Sequence, residues 1–161
     1  MMIQKGYWMA MLVAFAIHNA EEWLWITQHP IQQLPFKLPA RLYASEPLGY
    51  AMIFLTLMAA IPCVAIGFGA SGIWMKLGFI LAGGLGLNTL MHISRAMITW
   101  QYNPGLYSAG VLLCTVILAV ASHWPLLQLT TGLKLVLLLS GGLLTIPVIA
   151  LALLVGNVFS S

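Results

Sequence analysis

The sequence is poor in charged residues, and poorest in acidic ones. Only three of its 161 residues are Asp or Glu, 6% are charged, and 61% are hydrophobic. A chain of this composition has too little polar surface to cover a water-soluble globule. The composition therefore excludes an ordinary soluble domain and predicts a protein that lies in a lipid bilayer.

Cysteine pairs and clusters of basic residues are also missing. The two cysteines, Cys63 and Cys114, have no spacing typical of a zinc knuckle or a redox dithiol, so we expect two buried free thiols. The six Lys and Arg residues are scattered along the chain, which argues against a nucleic-acid partner. We also find no low-complexity tail and no repeat of fixed period.

Long apolar stretches are what the sequence does contain. A helix needs about 20 mainly apolar residues to cross a bilayer. Five stretches are candidates, at about 7–28, 48–68, 73–99, 107–122 and 133–159, of which the fourth is short. They predict an all-α polytopic membrane protein with about five transmembrane helices in a single domain, residues 1–161. The first stretch contains two Glu and has no small-residue cleavage motif, so we expect it to persist in the mature protein.

The basic residues give a hint of orientation. Lys5, Lys76 and Lys134 mark one face of the predicted bundle, and Lys37 and Arg41 mark the other. Because cytoplasmic loops carry an excess of Lys and Arg, this distribution favours a cytoplasmic N-terminus in an inner membrane of bacterial type.

The first predicted helix holds two of the three acidic residues, in the stretch "AFAIHNAEEWLWI". His18, Glu21 and Glu22 are three and four residues apart, a spacing that places them on one side of a helix. A carboxylate that faces lipid costs at least about 2.5–3.5 kcal/mol. We therefore expect this polar stripe to face the protein interior.

The third predicted helix carries a second polar stripe, in "GLNTLMHISRAMITW". Asn88, His92 and Arg95 follow one another at intervals of three or four residues, in the second half of this helix. The first and third helices cross the membrane in the same direction, so the two stripes lie at similar depth. A single polar pocket in one half of the membrane is the expected arrangement, roofed by the first loop and by "YNPG".

Three motifs in this order resemble a known family. They are His-x-x-Glu-Glu as "HNAEE", Asn-x-x-x-His as "NTLMH" and Tyr-x-Pro-Gly as "YNPG". Together they are similar to the motifs of the HXXEE family of small membrane proteins, whose biochemical activity is unassigned. The positions of these motifs in this sequence are His18, Glu21, Glu22, Asn88, His92, Tyr102, Pro104 and Gly105. The resemblance implies no particular reaction.

The residue types themselves suggest metal chemistry. Histidine and carboxylate side chains are common ligands of zinc and of non-haem iron. We expect His18, Glu22 and His92 to bind a divalent metal, Zn or Fe. Glu21 either completes the ligand shell or acts as a general base, and which Glu is the ligand stays open. Asn88 is expected to orient a ligand or to bind substrate.

Two further candidate residues have two interpretations each. Arg95 either clamps an anionic group of the substrate or acts as the counter-ion of Glu21 or Glu22. Tyr102 is a candidate catalytic residue, or part of a helix-ending turn with Pro104 and Gly105. For the cluster as a whole, the alternative to catalysis is a hydrogen-bonded lock between the first and third helices.

These expectations favour a membrane-embedded enzyme that acts on a lipid-like or isoprenoid-like substrate by metal-assisted or paired acid-base chemistry. The expected partners are a membrane lipid or an apolar small molecule, and further copies of the chain in a homo-oligomer. The alternative is a proton- or cation-coupled transporter that uses the same residues. Its weakness is that the polar residues are confined to one half of the membrane. A helper subunit that docks a partner protein is the third interpretation.

Overall fold

The computed structural model describes residues 2–28, 41 and 44–160. Within these residues the chain forms five α-helices: α1 (Met2–Gln28), α2 (Ser45–Gly67), α3 (Ile73–Thr99), α4 (Leu106–His123) and α5 (Thr131–Phe159). The all-α class and the five helices are confirmed. The helix ends lie within three residues of the predicted ends, except that α1 begins at Met2 rather than near Tyr7. Hydropathy does not detect a helix that continues beyond its apolar stretch.

Four of these helices, α2 to α5, are long and apolar enough to cross a membrane. The chain is therefore a helical membrane protein. Helix α1 equals α3 in length, at 27 residues, but its polar residues place its hydropathy below that of the other four. Pro62 and Pro147 lie inside α2 and α5 without ending them.

The helices form a closed ring around an apolar core. Helix α1 packs on α2 and α4, α3 packs on α4 and α5, and α5 packs on α2. Helix α4 therefore lies between α1 and α3, and its first turn contacts the second half of α1. The loop that precedes α4 contacts the second half of α3. The polar stripes of α1 and α3 thus meet where α4 begins.

Two glycines allow α3 and α5 to approach closely. A Cβ atom on Gly83 would clash with the carbonyl oxygen of Leu138, and one on Gly141 would clash with that of Ile80. Such backbone contacts are typical of helix packing in lipid, where small residues replace the hydrophobic driving force. These backbone contacts hold α3 against α5, and the opposite side of α3 carries the polar stripe.

The apolar core fills the end of the bundle away from the polar stripes. Trp8, Phe79 and Leu112 are fully buried there, and the rings of Trp8 and Phe79 lie 6.4 Å apart. Cys63 is a buried free thiol, as expected. The expectation for Cys114 was wrong, because this free thiol lies exposed on the outer face of α4. A thiol is apolar enough to face lipid without a partner.

Candidate metal centre

His18 is the centre of the polar cluster, and its side chain is completely buried. Its Nδ1 atom lies 3.1 Å from the carbonyl oxygen of Gly105 and 3.1 Å from the Ser108 hydroxyl. A carbonyl oxygen only accepts hydrogen bonds, so Nδ1 carries the ring proton and donates it. The lone pair of a neutral ring is then on Nε2, which accepts a hydrogen bond from the Asn88 amide at 3.1 Å.

His92 holds its proton on the other ring nitrogen. The Asn103 amide nitrogen donates to the backbone oxygen of His92 at 3.1 Å, which fixes the direction of the amide group. The same nitrogen lies 3.1 Å from Nδ1 of His92, so Nδ1 is the acceptor. The proton of a neutral ring is therefore on Nε2, which donates to a carboxylate oxygen of Glu22 at 3.1 Å.

The two imidazoles and Glu22 form one compact group. The ring centroids of His18 and His92 are 4.9 Å apart, with the planes nearly perpendicular at 88°. One ligand atom from each of His18, Glu22 and His92 lies within 4.8 Å of the others, a group that can hold a metal ion. The predicted convergence of the first and third helices is present in the structure. Of the two glutamates, Glu22 is the one beside the histidines.

Glu21 points to α4 instead and caps it. One carboxylate oxygen accepts the Tyr102 hydroxyl at 2.7 Å and the Tyr107 amide at 3.3 Å, and the other accepts the Ser108 amide at 2.9 Å. The N-cap residue of α4, Gly105, has no side chain that could do this. A carboxylate at a helix N-terminus satisfies free amides and is favoured by the helix dipole. Glu21 therefore supplies the cap of α4 from α1.

Gly105 is required where it stands. Its φ angle is +82°, in the left-handed region that favours glycine. A Cβ atom there would lie 2.6 Å from Cε1 of His18 and 2.9 Å from Cγ of Glu22. The "YNPG" turn can lie against the cluster only because this residue has no side chain.

Tyr102 lies at the outer edge of the cluster and is 36% exposed. Its ring packs near Trp25, with 6.0 Å between centroids. Partial burial, together with the hydrogen bond to the Glu21 carboxylate, raises the pKa of Tyr102 to about 12. The phenol therefore keeps its proton at neutral pH and donates it to Glu21, while "YNPG" forms a turn before α4.

Arg95 is exposed, one helical turn beyond His92. Within the described residues its guanidinium makes no ion pair with either carboxylate, because Glu22 pairs with His92 and Glu21 is occupied by α4. The structure thus does not bring Arg95 into the cluster. Its role as a clamp for an anionic group stays a prediction.

Two residues of the network escaped the sequence reasoning. Asn103 is the variable position of the Tyr-x-Pro-Gly motif, where an Asn before Pro is typical of an ordinary turn. Ser108 follows in the first turn of α4, where a Ser is equally unremarkable. No spacing rule links either residue to His18 or His92. The first loop, residues 28–47, was predicted to help roof the site; most of it, residues 29–40, 42 and 43, lies outside the described residues.

The cluster is a packed contact with a partly open edge. Glu22 and His92 keep 20% and 13% of their side-chain surface exposed. A cavity of about 540 Å³ lies between α1 and α2, on the side of α1 that faces away from the cluster. Asn19 and Thr56 are among the residues that line it. A second cavity, of about 520 Å³, lies at the other end of the bundle beside His123. Within the described residues, the exposed edge of the cluster is thus formed by Glu22 and His92.

Comparison with known proteins agrees with the motifs. Neither the curated proteins nor the solved structures contain a match to this chain. A family model described as a protein of unknown function with HXXEE motif matches residues 8–121, from α1 nearly to the end of α4. This range contains every residue of the cluster and the turn that holds it. The chain belongs to the HXXEE family.

Proposed function

We propose that this protein is a membrane-embedded enzyme in which His18, Glu22 and His92 hold a divalent metal, zinc or iron. The observation that carries the proposal is the approach of their three ligand atoms to within 4.8 Å in a largely buried place. Two imidazoles and a carboxylate are a common ligand set for both metals in catalytic sites.

The donor chemistry of the cluster fits such an ion in two respects. Nε2 of His18 presents a lone pair, while Nδ1 donates to the backbone oxygen of Gly105, as metal-binding histidines usually do. Three protein ligands leave a coordination position for water or substrate, which is the pattern of catalytic rather than structural sites. A bound zinc or iron ion would act there as a Lewis acid.

The residues around the cluster take different parts in this proposal. The Asn88 amide, now hydrogen-bonded to His18, is placed to bind a polar group of the substrate. Glu21 has both oxygens engaged by α4 and the "YNPG" turn, so its part is to hold the wall of the site. The general base is then the carboxylate oxygen of Glu22 that does not bind the metal.

An apolar substrate from the bilayer suits the surroundings of the open edge. The outer face of α3, the helix that carries His92, exposes apolar side chains, among them Leu87, Leu90 and Met91. A lipid-like or isoprenoid-like molecule would lie against these side chains with its reactive group at His92 and Glu22.

A transport path is less consistent with the packing. Trp8, Phe79 and Leu112 are fully buried between the cluster and the other end of the bundle, and they form a continuous apolar barrier. A carrier for protons or cations would need polar groups or water through this region. The core thus favours a site open on one side.

Elemental analysis of the detergent-purified protein tests the proposal. We expect about one zinc or iron ion per chain, and its loss in the variants His18→Ala and His92→Ala. The control is His123→Ala, which removes a buried histidine at the opposite end of the bundle. Metal-free wild type after dialysis against zinc and ferrous iron would overturn the proposal, as would cluster variants that keep as much metal as the control.

A further inference from the structure

Asn103 is a buried amide with no part in the proposed ligand set. It is only 6% exposed, and it lies in the "YNPG" turn between Tyr102 and Pro104. Within the described part of the chain, its side-chain nitrogen forms two hydrogen bonds, to the backbone oxygen and to Nδ1 of the same residue, His92. A side chain that binds one residue twice fixes the orientation of that residue.

The first of these bonds decides the direction of the second. Because the backbone oxygen of His92 accepts only, the group that Asn103 turns toward His92 must be its NH₂. The other hydrogen of this NH₂ then points to Nδ1, which is left as an acceptor. A neutral His92 ring must therefore carry its proton on Nε2, directed at Glu22. His18, whose Nδ1 faces a carbonyl oxygen, has the opposite tautomer.

We propose that Asn103 is a positioning residue that keeps the ring proton of His92 on Nε2 and thereby lowers the metal affinity of the cluster. The first half of this inference, the tautomer of His92, stands by itself. Only the second half, the lowered metal affinity, rests on the proposed function. Nε2 can serve as a ligand once its proton has moved to Nδ1, and the protonated Nδ1 then needs an acceptor. Asn103 offers one only if its amide turns over and gives up the bond to the backbone oxygen of His92. The "YNPG" turn is thus coupled to metal loading.

Nitrogen NMR of the imidazole side chains in the metal-free protein tests the first half. We expect the Nε2–H tautomer for His92 and the Nδ1–H tautomer for His18. In Asn103→Asp the new carboxylate accepts from Nδ1, so the His92 proton should move there while His18 keeps its signals. Asn103→Ala removes the donor, so a mixture of the two His92 tautomers is expected. An unchanged His92 tautomer in both variants would overturn the inference.

Zinc titration of the same proteins tests the second half. A carboxylate behind a ligand histidine strengthens metal binding, and partners of this kind change affinity by about 10–100-fold. We expect Asn103→Asp to bind zinc at least about tenfold more tightly than wild type. The matched control Asn157→Asp makes the same change on α5, outside the cluster, and should leave the affinity unchanged.

The two readouts separate the two ideas. If the His92 tautomer switches but neither wild type nor Asn103→Asp binds zinc or iron, the metal proposal fails while the positioning role of Asn103 stands. If all proteins bind zinc equally and the tautomer does not change, the role of Asn103 fails while the metal proposal stands.

Discussion

Replacing Gly105 by alanine tests the contact on which the geometry of the cluster depends. Two costs are expected. The φ angle of +82° costs a residue with a Cβ atom about 1–2 kcal/mol. The new Cβ would also lie 2.6 Å from the His18 ring and 2.9 Å from Glu22, and overpacking of this kind costs about 1–3 kcal/mol. We expect Gly105→Ala to lower the free energy of unfolding by about 2–5 kcal/mol in total.

Gly72 provides a control for a backbone cost without a contact. Its φ angle is +63° and its ψ angle −115°, outside the left-handed helical region of Gly105, and a Cβ atom there would meet nothing within 4 Å. Gly72→Ala should therefore show only a backbone cost, about 1–3 kcal/mol. Both variants are measured by denaturant titration in detergent micelles, and any cost of Gly105→Ala above its own backbone cost of about 1–2 kcal/mol comes from the contact with His18 and Glu22. The imidazole NMR signals of His18 should also shift in Gly105→Ala alone.

The reasoning is refuted if Gly105→Ala costs no more than about 1–2 kcal/mol, the backbone cost alone. Such a cost would mean that the "YNPG" turn can move away from α1 without loss, so that Gly105 does not hold His18 in place. A cost of this size combined with unchanged His18 signals would remove the structural basis for treating the turn as part of the site.

Three further outcomes follow from single residues. Glu21→Gln should weaken the cap of α4 by about 0.5–2 kcal/mol, seen as faster hydrogen exchange at Tyr107 and Ser108, whereas the exposed Glu46→Gln should have no such effect. The pKa of Tyr102 is raised to about 12, so the contribution of its phenol to stability is complete below about pH 10 and is lost as the pH rises through about 12. Ultraviolet titration of the wild type against Tyr102→Phe measures the ionisation of this phenol, and a midpoint near pH 10 would contradict the prediction. Gly83→Ala should destabilise the α3–α5 contact by about 1–3 kcal/mol. The control Gly110→Ala, at an open position on α4, should leave the stability unchanged or raise it by up to about 1 kcal/mol. Equal thermal stability of the two variants would count against this packing.

The fold was predictable because lipid imposes a simple rule on sequence. A stretch that spans the bilayer must be apolar throughout, so both ends of α3 were predicted as they are observed. The meeting of the stripes was predictable as well, because helices that cross in the same direction bring their second halves to the same depth. The start of α1 was missed because its first residues continue the helix beyond the apolar stretch.

The division of labour between Glu21 and Glu22 was not predictable. Adjacent residues on a helix point about 100° apart, so either Glu21 or Glu22 could have faced the histidines. What decides between them is the position of α4, whose first amides lie within 3.3 Å of Glu21. That position depends on contacts distant in sequence. The same holds for Asn103, whose bonds to His92 depend on how the turn folds back onto α3.

The motifs of the family divide into two kinds of requirement in this structure. Glu21 and Gly105 are explained by folding alone, because one caps α4 and the other makes room for the cluster. His18, Glu22 and His92 are explained only in part by folding, because hydrogen bonds from Asn88 to His18 and from His92 to Glu22 join α3 to α1. A lock between helices would be served by fewer ionisable groups, and two imidazoles next to a carboxylate are costly to bury in a membrane. Glu21 and Gly105 thus shape the surroundings of the cluster, and His18, Glu22 and His92 form the cluster itself. The metal-binding role that we propose for His18, Glu22 and His92 would account for the ionisable groups that a lock alone does not need.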